Sequence, residues 1–388
     1  MFKLESLIGE LDRIIQEKEA EAQKKSDLID NLLEILFQID PDLIRNSSSK
    51  DVPYSFATPC TQVSKGIKPE KPPREYSVAA CDGSLIPIDE DFYFPYFVIN
   101  TGFVYIKYGR DNVFVADSIP QIFYRDEEIY EQLYGNFKQL IKGESLSSKM
   151  LLKESVKLEE LIRKYSSRSA PFVALIDGTL IQWEVKNKPD EFIRTFVSNF
   201  EQLFKTAQEE NVPVAGYISG TRSRDVLGTI NLYCEKKGIK INGLSNNSNS
   251  SEQTGKIFSM ILDRELFSRI LRNGERSTLF QSNEPILNFY STPVYFFFLN
   301  ASEEIVRVEV PEFVAKDETK LAMVHSTLVS QIEKGPNYPV ALREAHEQAV
   351  IHNIEKTALE KIITELLSKS SIQFTENSKL VSKHSRQF

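Results

Sequence analysis

Two segments of the sequence share one form, an apolar run that ends in Asp-Gly and a hydroxyl residue. They are VAACDGS, which carries Asp82, and VALIDGT, which carries Asp177. Each run has the length and composition of a buried strand, so each aspartate is predicted to lie at a strand end. Burying such a carboxylate is costly unless it is paired or metal-bound. A single apolar run that ends in Asp-Gly would favour a simple turn. With two such runs, a turn and a metal site are about equally favoured.

The surrounding sequence predicts a mixed α/β sheet with flanking helices. Aromatic and β-branched runs at 92–109 and 112–119 predict strands joined by short turns, and the stretch 126–166 predicts a helix. Strands and helices then alternate, and 320–335 and 340–369 predict two long helices at the end of the chain. Antiparallel strands followed by this alternation indicate one large mixed sheet.

The chain is expected to divide into an extension, a main domain and a tail. Residues 1–60 predict a helical extension and linker, whose helix either packs on its own domain or forms a dimer or partner surface. Residues 76–365 predict the main domain, and the polar residues 371–388 predict a disordered tail. The segment 61–75 is polar and proline-rich, and 243–255 is a polar low-complexity loop.

Composition excludes several classes of protein. Three cysteines without CxxC spacing argue against a disulfide scaffold and a structural zinc site, and they indicate a reducing compartment. The sequence has no run of about 18 apolar residues, which a membrane-spanning helix would need. We therefore expect a cytoplasmic protein without membrane contact. The net charge of −8 argues against coating nucleic acid by bulk basicity. It does not exclude a nuclease, since carboxylates that hold metal ions make such sites acidic.

A third carboxylate is expected from the helix predicted at 150–165. Glu160 lies among basic residues. Glu159 lies on an apolar side of the helix, where an unpaired charge is unfavourable unless it has a partner or a function. We therefore predict Glu159 as the third carboxylate and Glu154 as the second choice. Three carboxylates suit Mg²⁺ or Mn²⁺, which prefer oxygen ligands.

Four other residues invite a functional interpretation. Tyr217 ends a predicted strand, and it is either a core tyrosine or part of a site. Arg222 and Arg224 supply two guanidinium groups in a loop, and such groups suit phosphate. His346 shares its predicted helix face with apolar residues, which on spacing alone favours a core position over a functional one.

No nucleotide-binding motif is present in the sequence. It contains neither GxxxxGK[ST] nor GxGxxG, so we expect no nucleotide cofactor bound by those routes. It also lacks a GxSxG elbow. If the protein acts in an energy-driven process, another chain must supply the motor.

Several segments together resemble the NurA nuclease family. They are ACDGS, LIDGTL, GYISGTRSRDV, LDRELFSRILRNGERSTLF, FFFLN followed by RVEVP, and NYPVALREAHEQAVI, in family order over roughly 76–355. The resemblance implies an RNase H-like core, a homodimer, and a partnership with a HerA-type hexameric ATPase. It also implies Mn²⁺-dependent 5′-end exonuclease and single-strand endonuclease activity in DNA end resection.

The resemblance also implies roles for particular residues. Asp82 and Asp177 would be metal ligands, and the family's acidic helix residue would be Glu159, eighteen residues before Asp177. His346 would join the site to orient a phosphate, ligate an ion or protonate the leaving oxygen, with Tyr217 beside it. The arginines Arg222 and Arg224 would contact DNA phosphates.

Two alternatives to a DNA-repair nuclease remain open from the sequence. The chain could be a non-catalytic dimeric adaptor of a ring ATPase, or an RNase H-like nuclease that cuts RNA or hybrids. Intact aspartates at both predicted strand ends favour an enzyme over the adaptor.

Overall fold

The computed structural model of the chain describes residues 8–47, 52–132, 138–166, 171–241 and 261–370. The chain divides into two compact units, and we call Met1–Glu70 with Tyr217–Val329 unit 1 and Lys71–Gly216 with Ser330–Phe388 unit 2. The predicted polar loop at 243–255 and the predicted tail at 371–388 lie outside the described residues. No helix among the described residues is both long and apolar enough to cross a membrane.

The described helices and strands are labelled in chain order. The helices are α1 (Ile8–Gln38), α2 (Pro41–Arg45), α3 (Asp126–Ile129), α4 (Glu144–Tyr165), α5 (Asp190–Glu209), α6 (Asp225–Lys237), α7 (Asp263–Phe267), α8 (Glu312–Ala315), α9 (Glu318–Lys334), α10 (Val340–Ala349) and α11 (Asn353–Ser368). The strands are β1 (Ala57–Pro59), β2 (Tyr76–Ile86), β3 (Phe97–Tyr108), β4 (Val113–Phe123), β5 (Tyr130–Gln132), β6 (Lys138–Leu140), β7 (Phe172–Asp177), β8 (Val214–Ile218), β9 (Phe280–Ser282), β10 (Val294–Asn300) and β11 (Ile305–Pro311).

Unit 2 is built on a mixed sheet. Strands β2, β3 and β4 are neighbours and antiparallel, with Asp82 of β2 opposite Gly102 of β3. Strand β7 follows helix α4 in the chain and pairs with the other side of β2 in parallel, with Cys81 opposite Ile176. Because parallel strands need a crossover, α4 covers the sheet between them. The predicted mixed α/β sheet with flanking helices is confirmed.

The apolar strands of unit 2 lie in its core. Strands β2 and β7 are buried along most of their length because helices cover the sheet. Helix α5 buries one stripe of large side chains and leaves its other face to solvent, as expected for an amphipathic helix. The stripe consists of Ile193, Phe196, Val197, Phe200, Leu203 and Phe204.

Unit 1 contains its own antiparallel strands and a separate apolar core. Strand β10 pairs with β11 and β9, and β9 pairs with β1. The second half of α1 buries Leu32 and Leu36 in a core shared with α6 and α7, whereas Ile8 and Leu11 in its first half are exposed. The predicted N-terminal helix is present, and its second half packs on its own unit.

Two predicted helices differ from the structure. The stretch 126–166 is not one helix, because a short turn of helix and the β5–β6 pair precede α4, which begins after Gly143 with a positive φ of 50°. The stretch predicted as one helix at 340–369 is broken after Ala349. The Ser84 hydroxyl and the Asn100 amide both donate to the Ala349 carbonyl, at 2.5 and 2.8 Å, and occupy an acceptor that a continuing helix would use.

Candidate active site

Asp82 lies within β2 and not at its end as predicted, because β2 continues to Ile86 in its pairing with β3, and its carboxylate accepts two hydrogen bonds. Its Oδ1 accepts from the Gly83 backbone N–H at 2.8 Å, and its Oδ2 is 2.6 Å from Nδ1 of His346. The imidazole is exposed over 57% of its side chain, so His346 is not the core residue that its helix spacing favoured. With Nδ1 bound to Asp82, Nε2 is the nitrogen that remains to meet a substrate.

His346 reaches Asp82 because α10 lies directly on the sheet. A Cβ built on Gly102, the residue opposite Asp82, would collide with the Ala349 backbone nitrogen and come within 2.5 Å of the Ala345 carbonyl. Glycine is therefore required at this position for the close approach of α10 to β3. The Gln331 side chain accepts from the Ala341 N–H at 3.0 Å and holds the other end of the helix.

Asp177 is the last residue of β7, and the parallel register places it beside Asp82. Since Cys81 pairs with Ile176, the next residue along each strand is one of the two aspartates. The Tyr338 hydroxyl lies 2.8 Å from both carboxylate oxygens of Asp177. Although Asp177 lies at the exposed strand end, the protein around its carboxyl raises its pKa, an effect that Tyr338 opposes and the Asp82 charge reinforces.

Glu154 of α4 completes the group. It is only 7% exposed, and no hydrogen bond or ion pair joins its carboxylate to another described residue. A Cβ built on Gly83, next to Asp82, would lie 2.5 Å from Oε1 of Glu154. The pKa of Glu154 is raised to about 8, first by burial and then by the charges of Asp82, Asp177 and Glu184 in that order.

Glu159, the carboxylate predicted from sequence, is not brought to this group. Its Oε1 is 2.9 Å from Nη2 of Arg163 and accepts from the Thr206 hydroxyl at 3.0 Å, so it joins α4 to α5. Five residues along a helix rotate a side chain by about 140°, which separates Glu159 from the face that carries Glu154. The structure therefore assigns the position beside the two aspartates to Glu154.

The other predicted site residues belong to unit 1. Tyr217 has no exposed surface. Arg222 is exposed and Arg224 is half-buried, and both lie just before α6. The unit that holds Asp82 and His346 does not contain these three residues.

Sequence reasoning missed Tyr338 and ranked Glu154 second, although both left a signal. Tyr338 lies eight residues before His346 in the same motif, NYPVALREAHEQAVI. Glu154 lies within the stripe that α4 buries, with Leu146 before it and Leu158, Leu161 and Tyr165 after it at helical spacing. A single carboxylate inside an apolar stripe was the stronger indication of a site.

The donor set at the site fits a hard divalent cation. Among the described residues, no three His, Cys, Asp or Glu side chains are grouped closely enough to form a complete metal site. The chemistry of the donors is nevertheless that of a Mg²⁺ or Mn²⁺ site, because Asp82, Glu154 and Asp177 offer carboxylate oxygens. Within the described ranges, no cationic side chain forms an ion pair with the buried Glu154 carboxylate.

Carboxylates on two neighbouring strands and on a covering helix are a donor set of the kind that metal-dependent phosphodiester-cleaving enzymes use. In a comparison with protein families, the NurA domain matches residues 76–351 of the 388. The chain belongs to the NurA family and is a nuclease of that family. No curated protein matches the chain.

Solved structures of the family resemble the chain at low identity. The NurA nuclease from Sulfolobus solfataricus is 15% identical, with a TM-score of 0.47 over 92% of this chain and 98% of that one. A second NurA structure is 12% identical, with a TM-score of 0.43 over 91% and 97% of the two chains. A type 1 RNase H, LC9-RNase H1, is 10% identical, with a TM-score of 0.20 over 50% and 88%.

Proposed function

We propose that the protein is a metal-dependent DNA nuclease that processes DNA ends in repair, as a 5′-end exonuclease and a single-strand endonuclease. The observation that carries the proposal is the buried, uncompensated carboxylate of Glu154 beside Asp82 and Asp177. A buried carboxylate that faces only like charges takes up a proton unless a cation binds beside it, so its ionised form is suited to a bound cation. Membership of a nuclease family supplies the reaction class.

Asp82, Glu154 and Asp177 are the residues that would hold Mn²⁺ or Mg²⁺. When bound, the ion supplies positive charge to the attacking and leaving oxygens of the phosphodiester. Tyr338 donates to Asp177 and fixes the orientation of that carboxylate. Glu159 has no part in this set, because Arg163 and Thr206 hold it at the α4–α5 contact.

His346 acts through its free nitrogen. The Asp82 carboxylate holds Nδ1, which orients the ring and leaves Nε2 on the exposed side. From there the imidazole orients a substrate phosphate or delivers a proton to the leaving oxygen. The sequence-derived role of His346 as a direct metal ligand is the less favoured one, since the ring nitrogen nearest the carboxylates already contacts Asp82.

The proposed assembly is a cytoplasmic homodimer that works with a HerA-type hexameric ATPase. The assembly is what the resemblance to the NurA family implies, and the family match over residues 76–351 supports that resemblance. The sequence has no nucleotide-binding loop by which the chain could drive movement along long duplexes itself.

One assay separates the proposal from its alternatives. Purified protein is incubated with Mn²⁺, Mg²⁺ or EDTA on end-labelled single-stranded DNA, duplex DNA, RNA and hybrids, and Asp82→Asn protein prepared identically controls for contaminating nucleases. The proposal predicts cleavage of DNA with Mn²⁺ and none with EDTA. If no substrate is cleaved, the result supports the non-catalytic adaptor. If RNA or hybrids are cleaved in preference to DNA, the result supports the RNase H-like alternative.

A further inference from the structure

The motif LDRELFSRILRNGERSTLF has no part in the catalytic group, and the structure places it around a cavity in unit 1. The cavity has a volume of about 440 Å³. It is bounded by the end of α1, the segment before Ile67 and the turn that follows α7. Its polar lining includes Lys65, Arg269, Arg272 and Glu275.

The cavity carries uncompensated positive charge. Lys65, Arg269 and Arg272 are exposed, and none of them forms an ion pair with another residue in the described ranges. Glu275, which is 7% exposed and accepts from the Arg272 backbone N–H at 3.0 Å, offsets one of the three charges, so an excess of two positive charges remains in the lining. Three such cations around one cavity are notable in a chain with a net charge of −8.

The frame that carries these cations is fixed by backbone contacts. Ile67 and Arg276 exchange two backbone hydrogen bonds, at 2.7 and 2.9 Å, so the two sides of the cavity are joined. A Cβ on Gly66 would collide with the Glu275 side chain, which shows how closely the sides approach. Arg269 is held by the Ser26 hydroxyl at 2.8 Å. Little ordering of the protein is therefore needed when an anion binds.

The walls of the cavity are apolar. Phe37, Ile270 and Leu271 line it beside the cations. Cations that contact phosphates next to apolar or aromatic side chains that contact sugars or bases are the arrangement that binds single-stranded nucleic acid. A bare inorganic anion would use the cations alone.

We propose that this cavity binds a backbone phosphate and the attached nucleoside of single-stranded DNA, as a contact separate from the catalytic carboxylates. The proposal rests on the proposed function, since it takes the DNA to be the nuclease substrate. Arg269, Arg272 and Lys65 contact the phosphate, and the wall at Phe37 contacts the nucleoside. The contact adds affinity without taking part in bond cleavage.

The test measures binding in EDTA, where the chemistry cannot proceed. The full-length wild type, Arg269→Ala/Arg272→Ala and the control Lys237→Ala/Lys240→Ala are titrated against a fluorescent 30-nucleotide single strand over a range of salt concentrations. The control removes the same charge from an exposed part of unit 1. The proposal predicts that Kd rises by about tenfold or more only for the arginine variant, with a salt slope smaller by about 1.4, since each single-strand phosphate contact contributes about 0.7.

Several outcomes would overturn the proposal. Equal Kd values and salt slopes for the arginine variant and the control would remove the site while leaving the nuclease proposal intact, provided that the wild type cleaves DNA. A wild type that neither binds nor cleaves DNA would overturn both proposals. A loss confined to duplex DNA would overturn the assignment to single strands. Arg272→Glu alone replaces the double variant if the latter fails to fold, since Arg272 makes no side-chain hydrogen bond that the structure describes.

Discussion

Each unit buries a group of carboxylates, and the two groups differ in the partners that face them. In unit 1, Asp225 and Glu309 flank the guanidinium of Arg307, which is 4% exposed and lies 3.7 Å from the centre of the Phe296 ring. In unit 2, Asp82, Glu154 and Asp177 face one another, and the imidazole of His346 is the neighbouring group able to carry positive charge.

The acidic group of unit 1 also has hydrogen-bond donors supplied by the fold. Asp263 has no exposed surface, yet it accepts from the Val226 and Leu227 backbone N–H groups at 3.1 and 2.9 Å and from the Ser223 hydroxyl at 2.7 Å. These bonds satisfy donors at the start of α6 that would otherwise lack partners.

The difference separates a structural group from a functional one. Burial and then the Asp225 charge raise the pKa of Asp263, its hydrogen bonds oppose them, and the result is about 6. For Glu154, burial and the neighbouring charges all act in the same direction and raise the pKa to about 8. A carboxylate with donors holds the fold together, whereas carboxylates that face only each other are suited to a bound cation.

The largest effect is expected from the aspartates of unit 2. Asp82→Asn or Asp177→Asn should lower cleavage by about 10³-fold or more at saturating Mn²⁺, because each removes a ligand charge at the reacting phosphate. The melting temperature should not fall, since the change relieves repulsion between carboxylates. End-labelled DNA cleavage and thermal melts measure both quantities, and near wild-type cleavage by either variant would contradict the assignment.

The corresponding change in unit 1 should act on stability instead. Arg307→Met leaves buried Asp225 and Glu309 without their cation and should lower the free energy of unfolding by about 3–5 kcal/mol. The protein that remains folded should cleave DNA at the wild-type rate. Urea unfolding gives the first quantity and single-turnover cleavage the second. A loss below about 1 kcal/mol would show that the acidic group of unit 1 is not held by Arg307.

His346 is expected to give a smaller effect on cleavage. His346→Gln should slow cleavage by about 10²-fold with little change in melting temperature, since the exposed ring acts on the substrate and does not pack in a core. His352→Gln is the control, because His352 precedes α11 and does not lie on the helix of His346. If both variants cleave at similar rates, His346 has no catalytic role.

The two strand aspartates were predictable from sequence, and the choice of helix residue was not. The two apolar runs with Asp-Gly indicated Asp82 and Asp177, although only Asp177 ends its strand, since β2 continues to Ile86 against β3. Glu159 lies beside apolar residues in the sequence, but Thr206 of α5 provides its partner, and that contact is tertiary. The break after Ala349 likewise depends on Ser84 and Asn100, which are distant in sequence.

A separate effect is expected on the pH dependence of stability. The pKa of Glu154 is about 8 in the folded chain and near its usual 4.5 in the unfolded chain, so the folded state binds this proton more tightly. Without metal, the contribution of Glu154 to stability therefore falls as pH rises from about 4.5 to about 8. Glu154→Gln should remove that decrease, as measured by urea unfolding in EDTA across this range. An unchanged pH profile in the variant would contradict the raised pKa.

The central claim is that Glu154, and not Glu159, completes the carboxylate group. Calorimetric titration of Mn²⁺ into Glu154→Gln and Glu159→Gln tests it directly, because the two residues lie on the same helix and only one faces Asp82 and Asp177. We predict that Glu154→Gln weakens Mn²⁺ binding by about tenfold or more, since it removes a ligand charge. Glu159→Gln should bind Mn²⁺ as the wild type does. Wild-type affinity in Glu154→Gln together with weakened binding in Glu159→Gln would contradict the account.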